Sequence, residues 1–542
     1  KTGDIYECSG FLNTRRNWLK AMISSDTGFC TSEVCKKNKG CYYGKLKKSS
    51  FQSQIIVANH SLLMTNVSQE GLLPLFNSVI IDEAHNLVKA AYEQFKIEWS
   101  EQNISYQLQS IDPSHPRSNR WNNVLQHLSN LKPDINEARE QLKSSVKDSL
   151  QGLNVFMVEL AQENQHRFAS SKSYQDKPIL SNIIKIYASQ RSNLDHLKKC
   201  FEKIFTVLDK LKKMVLETDP KRTEYPALHS ILERGLETSS ALLNTVVHLT
   251  ENQNPEWVYW MEGDYKNKGT AKEKLQLSLH ASLIDVSDTL HKSFFSRLES
   301  CILTSATLRV DNSFSYFLGR VGLESNGNVF TKDFISPFHY NEQVSYFQYG
   351  GSKEISNDPE AVADLIYYIH KTFNSRTMVL FTSIKALSDT SKILLDKPGG
   401  RDLPLFAQVR GASKPAIIKG MHQNPNGILF GTSSFWEGVD LPGDLLEILV
   451  LVKLPFDVPS EPLIKSYSNY INTSGGNSFM EYSLPESVIK FRQGFGRLIR
   501  TSYDEGKFIC LDNRIIVKRY GEIFAKSLPI AMKPFSEFHL IK

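Results

Sequence analysis

An acidic pair closes the short apolar run "SVIID" at residues 78–82, continuing as Glu83, Ala84 and His85. Two carboxylates directly behind a buried strand suit nucleotide hydrolysis. Asp82 can hold Mg²⁺ through water, while Glu83 orients and deprotonates an attacking water. His85, three residues beyond Asp82, would sit beside that site and sense the neighbouring strand. A blander reading has the acids capping a following helix, whose N-terminal dipole favours them. Other stretches share the chemical character. "LTSATL" (303–308) ends an apolar run in small polar residues, so Ser305, Ala306 and Thr307 can link nucleotide state to nucleic-acid contact. In "QGFGRLIR" (493–500), a helix would place Gln493, Arg497 and Arg500 at intervals of one turn. Guanidinium groups aimed at a γ-phosphate stabilise the charge that develops in phosphoryl transfer. In "FGTSSFWEGVDLPG" (430–443), Glu437 and Asp440 follow a strand and precede a turn as candidate nucleotide-binding residues, and Gly438 permits close backbone approach there.

Four of the seven cysteines, Cys8, Cys30, Cys35 and Cys41, crowd into the first 41 residues. Clustered thiols of this kind point to a metal centre rather than to a disulfide scaffold. Four thiolates hold either a [4Fe–4S] cluster or a tetrahedral Zn²⁺, and the spacing matches neither the usual zinc-finger nor the ferredoxin intervals. "KKNKGCYYGKLKK" (36–48) follows directly. Lys36, Lys37, Lys39 and Lys45 with Tyr42 and Tyr43 among them suit phosphate contact plus base stacking on single-stranded nucleic acid, although lysine runs also serve as plain solvated faces.

These residues need a scaffold. At 542 residues the chain is expected to hold two to four domains. Its 64 basic and 58 acidic residues give a net charge of +6, which permits a polyanionic partner without requiring one. No apolar run is long enough to span a bilayer. The runs "SVIID", "CILTSATL", "MVLFTS", "GILFGTSS", "LEILVLVKLPF" and "KFICLD" are continuously apolar, as strands buried on both faces of a parallel sheet are. Helical stretches such as "IKALSDTSKILLD" (384–396) lie between them, which predicts doubly wound α/β architecture with ligand sites at strand carboxyl ends. Over 91–295 helical periodicity takes over, with loops at 111–122 and 250–273. Leu194, Leu197, Phe201, Ile204, Leu208, Leu211 and Val215 form a heptad seam, read as a packed helical hairpin rather than a dimerising coil.

The ordered set DEAH (82–85), TSATL (304–308), FGTSSFWEGVDLPG and QGFGRLIR resembles motifs II, III, V and VI of superfamily-two helicases. It is more closely similar to the DinG/XPD branch of iron–sulfur helicases, supported by "ANHSLLMTN" (58–66), "LHASLIDVSDTL" (279–290) and the motif-IV-like "VLFTS" (379–383). The resemblance implies two RecA-like domains: one from 51–90 with 296–340, the other 341–542. It further implies an iron–sulfur module at 1–50 and a helical arch over 91–295. By the same resemblance the four cysteines hold a [4Fe–4S] cluster, and the activity is 5′-to-3′ ATP-driven unwinding of DNA by a cytoplasmic, nucleoid-associated monomer. Substrates would be single-stranded DNA, single/double-strand junctions and R-loops, in repair or replication. The family's phosphate loop, G-x-x-x-x-G-K-[ST], occurs nowhere in the 542 residues. The chain, which starts at Lys1, is therefore expected to be the C-terminal majority of a helicase and to hydrolyse ATP feebly by itself. A non-catalytic nucleic-acid-binding scaffold derived from a helicase is the alternative.

Overall fold

A computed structural model describes residues 40–69, 71–115, 119–168, 177–222, 224–251, 253–266, 273–324, 327–408, 414–432, 435 and 446–541. In chain order its strands are β1 (Ser78–Ile81), β2 (Ile97–Ser100), β3 (Trp257–Lys266), β4 (Lys274–Leu283), β5 (Ser300–Leu303) and β6 (Val344–Tyr349). They continue as β7 (Thr377–Leu380), β8 (Leu405–Ala407), β9 (Ile428–Gly431), β10 (Ile448–Leu451), β11 (Gly506–Cys510) and β12 (Met532–Phe535). The chain divides into two compact units. One gathers the described residues up to Phe76 with Lys89–Asp285 and Ser460–Ser466; the other holds Asn77–Val88, Val286–Pro459 and the residues from Tyr467 onward. Among the described residues no helix is long and apolar enough to cross a membrane.

The first unit is built on three long helices, Pro133–Phe168, Arg191–Thr218 and Pro226–Thr250. Every residue of the heptad seam from Leu194 to Val215 is buried in their shared core. The expectation of helix alone between 91 and 295 needs correction, because β2, β4 and β3 form an antiparallel sheet there. Leu275, Leu277, Leu279 and Ala281 of β4 all enter the helical core. Their spacing of two is the signature of a strand with one buried face, unlike the continuous apolar runs elsewhere. The expected loops are shorter than 111–122 and 250–273, since a helix starts at Asn119 and β3 at Trp257.

In the second unit seven parallel strands lie in the order β12-β6-β11-β10-β7-β9-β8. Successive residues enter opposite cores: Leu449 and Leu451 join one cluster, Ile448 and Val450 the other. That double burial is what continuous apolarity encodes. The helix Ile384–Asp396 appears between β7 and β8, capped at its start by the Ser383 hydroxyl on the Ala386 N–H. A separate pair, β1 and β5, runs parallel in the register Ile81↔Leu303. Here the expectation of burial on both faces is not met. The partners Ile80 and Ile302 remain 71% and 57% exposed, because only two strands pair and no layer lies over that face among the described residues.

Candidate active site

The parallel register of β1 and β5 makes both strands end at the same level. It is carried past their ends: the Thr304 N–H donates to the Ile81 carbonyl at 2.9 Å, and the Ala84 N–H to the Thr304 carbonyl at 3.0 Å. Residues 82–85 are thereby laid beside 304–307, at the carboxyl ends where α/β sheets place ligand sites. Asp82 accepts the Glu83 N–H at 2.9 Å. Glu83 itself has φ 47° and ψ 45°, a left-handed conformation uncommon for a side chain of this kind. A 3₁₀ turn, Ala84–Asn86, follows at once and leads into the helix Leu87–Phe95.

The side chains form one hydrogen-bonded chain. The Ser305 hydroxyl donates to Glu83 Oε2 at 3.2 Å. His85 Nδ1 lies 2.9 Å from the same hydroxyl, 3.4 Å from Glu83 Oε2 and 3.4 Å from Thr307 Oγ1. With the Ser305 proton directed at Glu83, the 2.9 Å contact requires the proton on His85 Nδ1. Gln493 Nε2 reaches Thr307 Oγ1 at 3.5 Å, and its Oε1 is buried without a partner among the described residues. The structure therefore brings together Glu83, His85, Ser305, Thr307 and Gln493. The carboxylates of Asp82 and Glu83 remain open to solvent at the strand end, a donor set that fits a hydrated divalent cation.

The helix carrying Gln493 ends sooner than expected. It spans Leu484–Phe495, so Arg497 sits in the turn after it and Arg500 in the loop beyond. Gly494 and Gly496 weaken the helix here. A competing anchor takes over downstream: the N–H groups of Arg500 and Thr501 donate to Asp504 Oδ2 at 2.7 and 2.8 Å, and the Thr501 hydroxyl to Oδ1 at 2.6 Å. Burial alone would raise the Asp504 pKa; those three donors outweigh it and hold the carboxyl below its ordinary range. Asp504 went unrecognised in the sequence, yet Thr501-x-x-Asp504 has the spacing of a capping signature. Arg492 went unrecognised too, one residue before the motif, although its guanidinium grips the main chain beside Thr307.

Ala306 supplies a carbonyl to that grip. Glu437, Gly438 and Asp440 lie outside the described residues, as do Cys8, Cys30, Cys35, Lys36, Lys37 and Lys39. Cys41 caps the helix Tyr42–Gln52, its sulfur accepting the Gly44 N–H at 3.4 Å. Tyr42 and Lys45 are exposed on that helix, with the Lys45 ammonium 5.8 Å from the Tyr42 ring, and Tyr43 is half-buried.

Two family models match the chain: the helicase C-terminal domain over residues 366–531 and DEAD_2 over residues 20–104. The chain is 31% identical to the 3′-5′ exonuclease DinG of Bacillus subtilis, covering 90% of itself and 53% of that protein. It is 28% identical to the ATP-dependent DNA helicase YoaA of Haemophilus influenzae, covering 98% of itself and 74% of that protein. It thus spans about half the length of the first relative and about three quarters of the second. A solved XPD helicase shares the fold, with a TM-score of 0.52 at 14% identity over 96% of this chain and 79% of the other. Strands ending in DEAH and TSAT, a helix ending in the QxxGRxxR segment and these matches agree: the chain is similar to the DinG and YoaA proteins and carries the helicase C-terminal and DEAD_2 domains.

Proposed function

We propose that these residues form the motor of an ATP-dependent DNA helicase that translocates 5′ to 3′ on single-stranded DNA and opens duplex at junctions, R-loops included. One observation carries the reading: Glu83 and His85 of DEAH, the TSAT hydroxyls and Gln493 share a single hydrogen-bonded chain. Glu83 accepts the proton of the attacking water, and its Ser305 bond fixes one carboxylate oxygen so that the other faces that water. His85, between Glu83 and Thr307, reports the state of the acid to the segment behind β5. Arg497 and Arg500 stabilise charge on the transferring phosphoryl group. Mg²⁺ held at Asp82 would neutralise the phosphates during transfer. The direction of movement and a monomeric state are supported by the family resemblance.

A phosphate-cradling loop is not in the sequence, so residues 1–542 alone are expected to hydrolyse ATP feebly or not at all. The deciding measurement is DNA-stimulated ATP turnover and strand separation by a full-length protein that contains these residues and such a loop. Glu83→Gln should lower turnover by roughly 10²- to 10³-fold while single-stranded DNA is still bound. A wild-type protein that binds DNA but never turns over ATP would favour the scaffold reading. Cys8, Cys30, Cys35 and Cys41 are proposed to hold a [4Fe–4S] cluster of structural role. Anaerobically purified protein should be brown and absorb near roughly 400 nm, and a colourless zinc protein would refute this.

A further inference from the structure

We propose that Arg492 is a coupling residue, a positioning side chain that ties the segment behind β5 to the helix carrying Gln493. The proposal rests on the helicase reading above. Its guanidinium forks onto two carbonyls, Nη1 to Arg309 O at 2.7 Å and Nη2 to Ala306 O at 3.0 Å. Those carbonyls bracket Thr307, whose hydroxyl meets Gln493, the next residue along the helix. Two neighbouring side chains thus attach the helix to one short segment at three points. The other end of that segment is Ser305, bonded to Glu83 and His85. The segment is the link between Glu83 and the helix, and Arg492 anchors its far end.

The chemistry of the anchor fits transmission better than plain packing. No carboxylate among the described residues pairs with this guanidinium; burial lowers its pKa, Arg309 adds to that, and Tyr340 opposes it. Its charge is met by two peptide carbonyls, so the planar fork, rather than an ion pair, sets the geometry. A rigid fork passes displacement from helix to segment in both directions. Lysine, whose three donors sit on one nitrogen at the end of a flexible stem, does not reproduce the planar fork.

The test places Arg492→Lys and Arg492→Ala in the full-length helicase and compares ATP turnover with duplex opened per ATP consumed. For Arg492→Ala the ATP KM should stay within about twofold, while duplex opened per ATP falls about fivefold or more. Arg492→Lys should lie between Arg492→Ala and wild type. Amide exchange over residues 305–310 should speed up in the alanine variant. An unchanged ratio, or turnover and unwinding falling in equal proportion with the melting temperature, would overturn the proposal. A wild type that neither hydrolyses ATP nor opens duplex sinks the helicase reading instead. The tie is then judged by exchange alone, and unaltered protection in Arg492→Ala ends it.

Discussion

His85 Nδ1 lies 2.9 Å from the Ser305 hydroxyl, although 220 residues separate them in the chain. The contact exists because β1 and β5 pair in parallel and end together. Both groups also touch Glu83, so they act as a unit. His85→Ala and Ser305→Ala should therefore be non-additive in ATP turnover of the full-length protein. A double-mutant cycle is expected to return a coupling of about 1 kcal/mol. A value near zero would separate the two residues functionally.

The helical core supplies a prediction independent of catalysis. Leu197 is fully buried between the long helices, and Leu197→Ala is expected to destabilise that unit by about 2–5 kcal/mol in urea melts. Lys210, on the exposed side of the same helix, should tolerate alanine within about 0.5 kcal/mol. Equal effects would mean the seam does not carry the packing.

Acid should weaken the same unit through His280. Burial pushes its imidazole down to about 4; the nearby Glu262 favours the charged form, and Lys96 and Lys177 oppose it. The folded state thus keeps His280 neutral, whereas the unfolded chain protonates it near about 6.5. Stability from this group is complete above that value and declines as pH falls towards the folded one. His280→Gln should flatten the slope of the urea midpoint between those limits. An unaltered slope would assign the acid sensitivity elsewhere.

Asp504 should matter through Arg500. Its carboxylate holds the backbone of the loop in which Arg500 sits, and Asp504→Asn weakens all three bonds. ATP turnover of the full-length protein should fall roughly tenfold with DNA affinity retained. Because the folded pKa is depressed, the stabilisation is complete above the ordinary carboxylate value and is lost as pH falls through the lower folded one. Wild-type turnover in the variant would show that the loop needs no such anchor.

Much of this was legible in advance where one local signal sufficed. The six apolar runs contain six of the parallel strands, and "IKALSDTSKILLD" is a helix from Ile384 to Asp396. The seam from Leu194 to Val215 is buried throughout, because a heptad repeat states its own partner face. β4 was missed because its Leu275-Leu277-Leu279 alternation is weaker than a continuous run. Register was not legible: nothing near Ile81 says that Leu303 will pair with it, so the contacts of Glu83 and His85 with Ser305 emerge only from the tertiary structure. The helix ends at Phe495, and the loop carrying Arg500 beyond it is held by Asp504, nine residues downstream of that end. Arg492 escaped for a similar reason, since its partners are main-chain carbonyls that carry no sequence signature.

Glu83 occupies backbone geometry that an L side chain enters at a cost of about 1–2 kcal/mol. Glycine accepts that geometry freely, with its greater freedom in the unfolded chain offsetting only about 0.5–1 kcal/mol. Glu83→Gly should consequently melt slightly higher than the wild type while being chemically dead. A screen that ranks variants by heat tolerance alone would enrich for inert protein at this position. On the proposed helicase reading, hydrolysis would require at this position a residue that durability would discard.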